Sequence, residues 1–165
     1  MKVLIVYDSL GGNTEKMAKA VGEGAREVGA DVEVKSVKET TLPDLEAADA
    51  IILGSPTHFG TMSDGMKKFI NDSVKIRGKL VDKLGAAFTS SGHPFGGNET
   101  TLLSLLQAML IHGMLVVGDP LETGGHYGAV AVKTPDEKAL DDCRKLGRRV
   151  AELAKRLAAS GGSTA

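Results

Sequence analysis

Short apolar runs alternate along this chain with stretches in which apolar residues return every three or four positions. Residues 3–7, 50–53, 85–89 and 114–117 form the apolar runs, as expected of strands covered on both faces, and Val32 and Val34 mark another strand. Met17, Val21, Ala25 and Val28 recur at helical spacing until Gly29 stops them, with Asn13 or Thr14 available as the helix cap. A polar connection with a short helical stretch covers 40–48, and Ser63 reads as a cap ahead of Met66, Phe69 and Ile70. Residues 73–83 form a charged connection without a clear period. Over 99–112 the leucines surround much of the helix, which predicts a well-buried one. A last helix starts near Pro135-Asp136 with an apolar stripe of Leu140, Cys143, Leu146, Val150, Leu153 and Leu157. Residues 129–132 read as an extension of the edge strand, 1–159 as one domain and 160–165 as a flexible tail.

Strands and helices in alternation predict an α/β fold, a five-stranded parallel sheet with helices on both faces. In such sheets ligands bind beyond the carboxyl ends of the strands. The loops at those ends, 8–13, 56–62, 90–97 and 119–127, all mix Gly with Ser, Thr, Asn or His. Polar, flexible chemistry is therefore concentrated on one edge.

Composition narrows the partners. A formal net charge of −1 argues against nucleic acid, and no apolar run approaches membrane-spanning length. A single cysteine, Cys143, forbids an internal disulfide and fits a reducing cytoplasm; its place on the apolar stripe makes it a packed core residue.

The 9–14 loop carries the most information. Ser9, Leu10, Gly11, Gly12, Asn13 and Thr14 combine two glycines with neutral hydroxyl and amide groups at a helix start. Backbone N–H groups and the helix dipole can hold a phosphate there. The lysine of a nucleoside-triphosphate loop is missing, which points to a monophosphate on a larger cofactor. A plain strand-to-helix turn needs fewer such residues. In the second loop, Phe59 would either cover a flat ring or plug the domain, and His58 is a polar residue or a partner for a ring carbonyl. The glycines of the third loop suit backbone wrapped around a flat, hydrogen-bonding edge, with His93 at the rim and Asn98 as a helix cap. His112 ends the buried helix, where its charged form would favour the dipole.

These loops carry a resemblance. The segments YDSLGGNTEKMA, GSPTHFGTMS, TSSGHPFGGNETTLLSLLQAMLIHGM and GGHYGA, in order over nearly the whole chain, resemble the WrbA-type NAD(P)H:quinone oxidoreductases of the flavodoxin-like superfamily. The resemblance implies strand order 2-1-3-4-5, bound FMN, NADH or NADPH as electron donor, and a quinone or other small molecule as acceptor. The reaction would be a two-electron, ping-pong hydride transfer in a cytoplasmic homo-oligomer, dimer or tetramer. Carried over by position, Ser9 to Thr14 would hold the FMN phosphate, and Pro56, Thr57, His58, Phe59 and Gly60 would border the ring and ribityl chain. Thr89, Ser90, Ser91, Gly92, Gly96 and Gly97 would approach the ribityl chain and pyrimidine edge, and His112 matches a histidine near the flavin. No protein nucleophile and no metal are expected. The chain departs from the resemblance in having no Trp and in carrying His58 where an arginine is frequent. The alternative is a flavodoxin-type one-electron carrier, although the loops hold few acids, chiefly Asp8, Asp64, Asp119 and Glu122.

Overall fold

A computed structural model describes residues 1–161. Strand β1 (Lys2–Tyr7) leads into helix α1 (Asn13–Glu27), β2 (Asp31–Ser36), α2 (Leu42–Ala47) and β3 (Ala50–His58). The two-residue β4 (Thr61–Met62) folds back on β3, and α3 (Asp64–Asp72) continues into a 3-10 turn (Ser73–Ile76). Then come β5 (Leu84–Ser91), α4 (Asn98–Ile111), β6 (Leu115–Val116), a 3-10 turn (Leu121–Thr123), β7 (Ala129–Val132) and α5 (Glu137–Gly161). α5 thus runs through Ser160 and Gly161, into the segment expected as a tail; the rest of that segment, 162–165, lies outside the described residues.

The parallel path is β2-β1-β3-β5-β6, the expected order, but the sheet has seven strands. β4 adds an antiparallel arm to β3. The fifth position is shared: β6 pairs with Leu84 and Gly85, β7 with Phe88 to Ser91, and residues 117–128 loop out between them. The extension expected at 129–132 is therefore the second half of one interrupted edge strand.

Alternation within the strands divides the core in two. Val3 and Ile5 of β1 face α1 and α5, while Leu4 and Val6 face α2, α3 and α4. Each fully buried aliphatic side chain contributes about 1.5–3 kcal/mol. α1 and α5 touch almost backbone to backbone. A Cβ on Gly24 would lie 1.9 Å from the Arg144 carbonyl oxygen, and one on Gly147 1.9 Å from that of Val21. Gly54 is equally constrained, because a Cβ there would lie 2.0 Å from the Phe88 ring. These contacts lock the sheet, so its carboxyl edge presents the loops from a rigid base.

Candidate functional site

Five helices begin at or near the carboxyl edge, and the first turns of α1 to α4 are finished in two ways. At α3, Ser63 Oγ accepts from Met66 N at 3.2 Å, as the spacing predicts. At α2, the Asp44 carboxylate accepts from the Thr41 N–H at 2.8 Å and from its hydroxyl at 2.9 Å. The Thr41 amide bond, then Lys35, hold the Asp44 carboxyl down at about 2. At α1 and α4 the N-cap is instead a left-handed glycine, Gly12 (φ 85°) and Gly97 (φ 98°), which brings no capping side chain; at α1 the Ser9 hydroxyl of the preceding loop accepts from Glu15 N at 3.4 Å. Asn13, Thr14 and Asn98 lie inside the helices and cap neither. That differs from the expected caps because a left-handed glycine turns the chain into the helix one residue earlier.

The consequence at α1 is a row of open donors. Gly12 N bonds Ser9 Oγ at 3.1 Å and Lys16 N bonds the Gly12 carbonyl at 3.1 Å. The N–H groups of Leu10, Gly11, Asn13 and Thr14 have no acceptor among the described residues. Nothing lies within 4 Å of where a Cβ would stand on Gly11 or Gly12. Such an arrangement of backbone donors at a helix start suits a phosphate-sized anion.

These donors open into a cleft of about 220 Å³ lined by Ser9, Leu10, Gly11, Asn13, Thr14, Pro56, Thr57, His58, Ser90, Ser91, Gly92 and Lys133. Three of the expected loops thus meet in one place. A larger groove of about 520 Å³ lies on the other side of Asp8, between Val37 to Leu42 and α3, and holds none of the expected site residues. Buried hydroxyls tie the cleft floor together. Thr14 Oγ1 and Ser90 Oγ are 2.8 Å apart, and Thr89 Oγ1 donates to the Ser55 carbonyl at 2.8 Å. Ser63 Oγ donates to Asp8 Oδ2 at 2.6 Å, and Ser9 N donates to Asp8 Oδ1 at 3.1 Å. The cap of α3 therefore also fixes the end of β1.

Phe59 and Gly60 form the tip of the β3–β4 hairpin, both with positive φ (47° and 79°), as a type I′ turn requires. An aromatic residue is costly there, and its side chain is fully exposed, so it plugs nothing. Leu10 and Phe95 are 90% and 91% exposed, which gives the loops of this edge an apolar rim.

Several expected residues stand outside the cleft lining. Thr89 is fully buried and supports the floor. Gly97 starts α4 and touches the hairpin tip, since a Cβ on it would lie 2.6 Å from Gly60 Cα. Gly96 closes a turn, donating to the His93 carbonyl at 3.0 Å. His112 ends the 14-residue α4, whose other end borders the site, so within this chain it stands about 20 Å from the cleft. Its Nε2 is 2.8 Å from Ser73 Oγ. Burial, then Arg77, push its pKa down, so the ring favours its neutral form, against the charged form expected at a helix end. Sequence reasoning missed Lys133 as a cleft residue and Ser55 and Ser63 as supports of its floor; only the capping position of Ser63 signalled any of them. Cys143 is buried in the α1–α5 core, and burial pushes its thiol up to about 12. Among the described residues no cluster of His, Cys, Asp or Glu could hold a metal ion, and no helix is long and apolar enough to cross a membrane.

Residues 4–100 match the flavodoxin domain family. The chain is 42% identical over 188 aligned positions to an Archaeoglobus fulgidus protein named NAD(P)H dehydrogenase (quinone), covering 94% of this chain and 98% of that one. It is 43% identical to an Aquifex aeolicus protein named flavodoxin, covering 92% and 85% of the two chains. The flavodoxin, WrbA-like protein from Agrobacterium tumefaciens superposes with a TM-score of 0.83 at 32% identity, covering 94% and 98%. With the doubly covered sheet and the convergent loops, these likenesses show that the chain belongs to the flavodoxin-domain family, in its WrbA-like branch.

Proposed function

We propose that this protein is an FMN-dependent NAD(P)H:quinone oxidoreductase. The observation that carries the reading is the row of unbonded amides at Leu10, Gly11, Asn13 and Thr14, opening into the cleft shared by the ends of β3 and β5. The activity is taken from the relatives that bear that name. The donor set fits a phosphomonoester, and the open space beside Gly11 and Gly12 lets it approach the backbone.

FMN, when bound, supplies the two-electron hydride chemistry. The chain's part is to bind, orient and exclude water. Ser9, Thr14 and Ser90 add hydroxyls beside the open amides of the first loop. Pro56, Thr57 and His58, which line the cleft, would border the ring, and Ser91 and Gly92 would offer backbone to its polar edge, where donors stabilise negative charge. Leu10, Phe59 and Phe95 are the apolar groups available to cover a flat ring and its substrates. The homo-oligomeric reading draws on a second exposed apolar group far from the cleft, Val74, Leu110 and Ile111, and mass measurement in solution tests it.

A one-electron carrier would dock on its partners through rim acids. Here Asp8 uses both carboxylate oxygens on Ser9 N and Ser63 Oγ, and Asp119 uses both on His126 N and Thr123 Oγ1. These two acids are turned inward, which favours the oxidoreductase. The test is steady-state oxidation of NADH or NADPH by benzoquinone. A rate well above that of an equal concentration of free FMN supports the reading; a rate no higher ends it.

A further inference from the structure

Lys133 follows β7 with a φ of 61°, a backbone conformation that non-glycine residues seldom adopt. Its N–H donates to the Ser91 carbonyl at 2.6 Å, which anchors the turn to the end of β5. Ser90, the preceding residue of β5, meets Thr14 in the first turn of α1 at 2.8 Å. Two bonded links thus connect the lysine backbone to the anion-binding end of the cleft, and Lys133 lines that cleft with Ser9, Asn13 and Thr14. No ion pair or side-chain hydrogen bond among the described residues uses its ammonium, whereas Lys19, Lys35, Lys138 and Lys145 all have carboxylate partners. The 9–14 loop itself contains no cation. A glycine would serve the turn without strain, so a lysine there calls for another use.

We propose that Lys133 supplies the cation absent from the 9–14 loop: its ammonium pairs with the terminal phosphate of the flavin and makes the site prefer the phosphorylated flavin over riboflavin. This rests on the FMN reading above. Charge-assisted bonds to phosphate are among the stronger polar contacts, and an ion pair at an open cleft mouth weakens with salt.

The test is a pair of titrations of the flavin-free protein, with FMN and with riboflavin, followed by flavin fluorescence at low and high salt. Lys133→Met should weaken FMN binding about tenfold while riboflavin stays within about twofold of wild type. The salt dependence of FMN binding should shrink. Lys133→Gly, which removes the backbone strain, should show the same FMN loss with a melting temperature equal to or above wild type. Lys133→Arg should recover FMN binding to within about threefold. An FMN-to-riboflavin preference unchanged in both Lys133→Met and Lys133→Gly overturns this inference alone. A wild-type protein that binds neither flavin overturns the FMN reading and this inference with it.

Discussion

The starts of α1 and α3 stand at the same edge of one sheet and are built in opposite ways. At α3, Ser63 satisfies the first turn and also holds the Asp8 carboxylate. At α1, a left-handed glycine takes the cap position and leaves four neighbouring amides without acceptors. A helix start that serves only stability gains about 1 kcal/mol from a hydroxyl cap. One that gives up this gain, beside open space and on a rigid floor, is arranged for a ligand that completes it. α4 repeats the second pattern at Gly97, and α2 follows the first, with Asp44 returning to the Thr41 amide. The difference between occupied and vacant caps therefore separates the scaffold from the site.

Substitutions can break this comparison, starting with the largest effect. Ser9→Asp would place a carboxylate where Ser9 Oγ now accepts from Gly12 N. It should satisfy the open turn without a ligand and repel a phosphate. FMN affinity should fall on the order of 100-fold or more while the melting temperature of the flavin-free protein is kept or raised. Equal losses of FMN and riboflavin in parallel titrations would show that the carboxylate acts by shape and not by charge. At the occupied end, Ser63→Ala removes the cap and one donor to Asp8. Urea unfolding should show a loss of about 1–2 kcal/mol, with a smaller effect on FMN affinity than Ser9→Asp.

Phe59→Asn sharpens the contrast between stability and use. Asparagine accepts the positive φ of the hairpin tip more readily, so a gain of about 0.5–1 kcal/mol is expected in the same unfolding assay. Quinone reductase activity should fall, because an apolar cover is removed. The smallest effect concerns pH at α2. The Asp44 carboxyl titrates at about 2 in the fold against an ordinary 3.8. A carboxyl lowered on folding contributes stability that is complete above its unfolded value and is lost as pH falls through its folded one. The stability difference between wild type and Asp44→Asn should hold above pH 4 and shrink toward pH 2 when both are unfolded with urea across that range.

Much of this was legible because local signals and tertiary result agree. Doubly buried strands read as continuous apolar runs, and Ser9 to Gly11, Asn13, Thr14, Pro56 to His58 and Ser90 to Gly92 line one cleft because parallel strands bring their carboxyl ends together. Thr89 shares the neighbourhood of those loops in sequence, but it lies in the strand, fully buried, with its hydroxyl committed to Ser55. His112 came only from resemblance, and the length of α4 carries it away from the cleft. Lys133 had no local signal. It reaches the site only because β7 completes an edge strand that residues 117–128 interrupt, and that pairing is a property of the whole sheet. The vacant caps were hidden for a related reason: Asn13 and Asn98 are good cap residues, and only backbone geometry reveals that a glycine has taken the position.

The central claim is that the start of α1 is an anion cradle and the start of α3 is not. It is tested most directly by amide NMR of the isotopically labelled, flavin-free protein titrated with FMN. The account predicts the largest downfield amide proton shifts at Leu10, Gly11, Asn13 and Thr14, with Asp64 to Met66 nearly unmoved. Tight FMN binding that leaves those four amides in place, or moves the start of α3 as strongly, would contradict it.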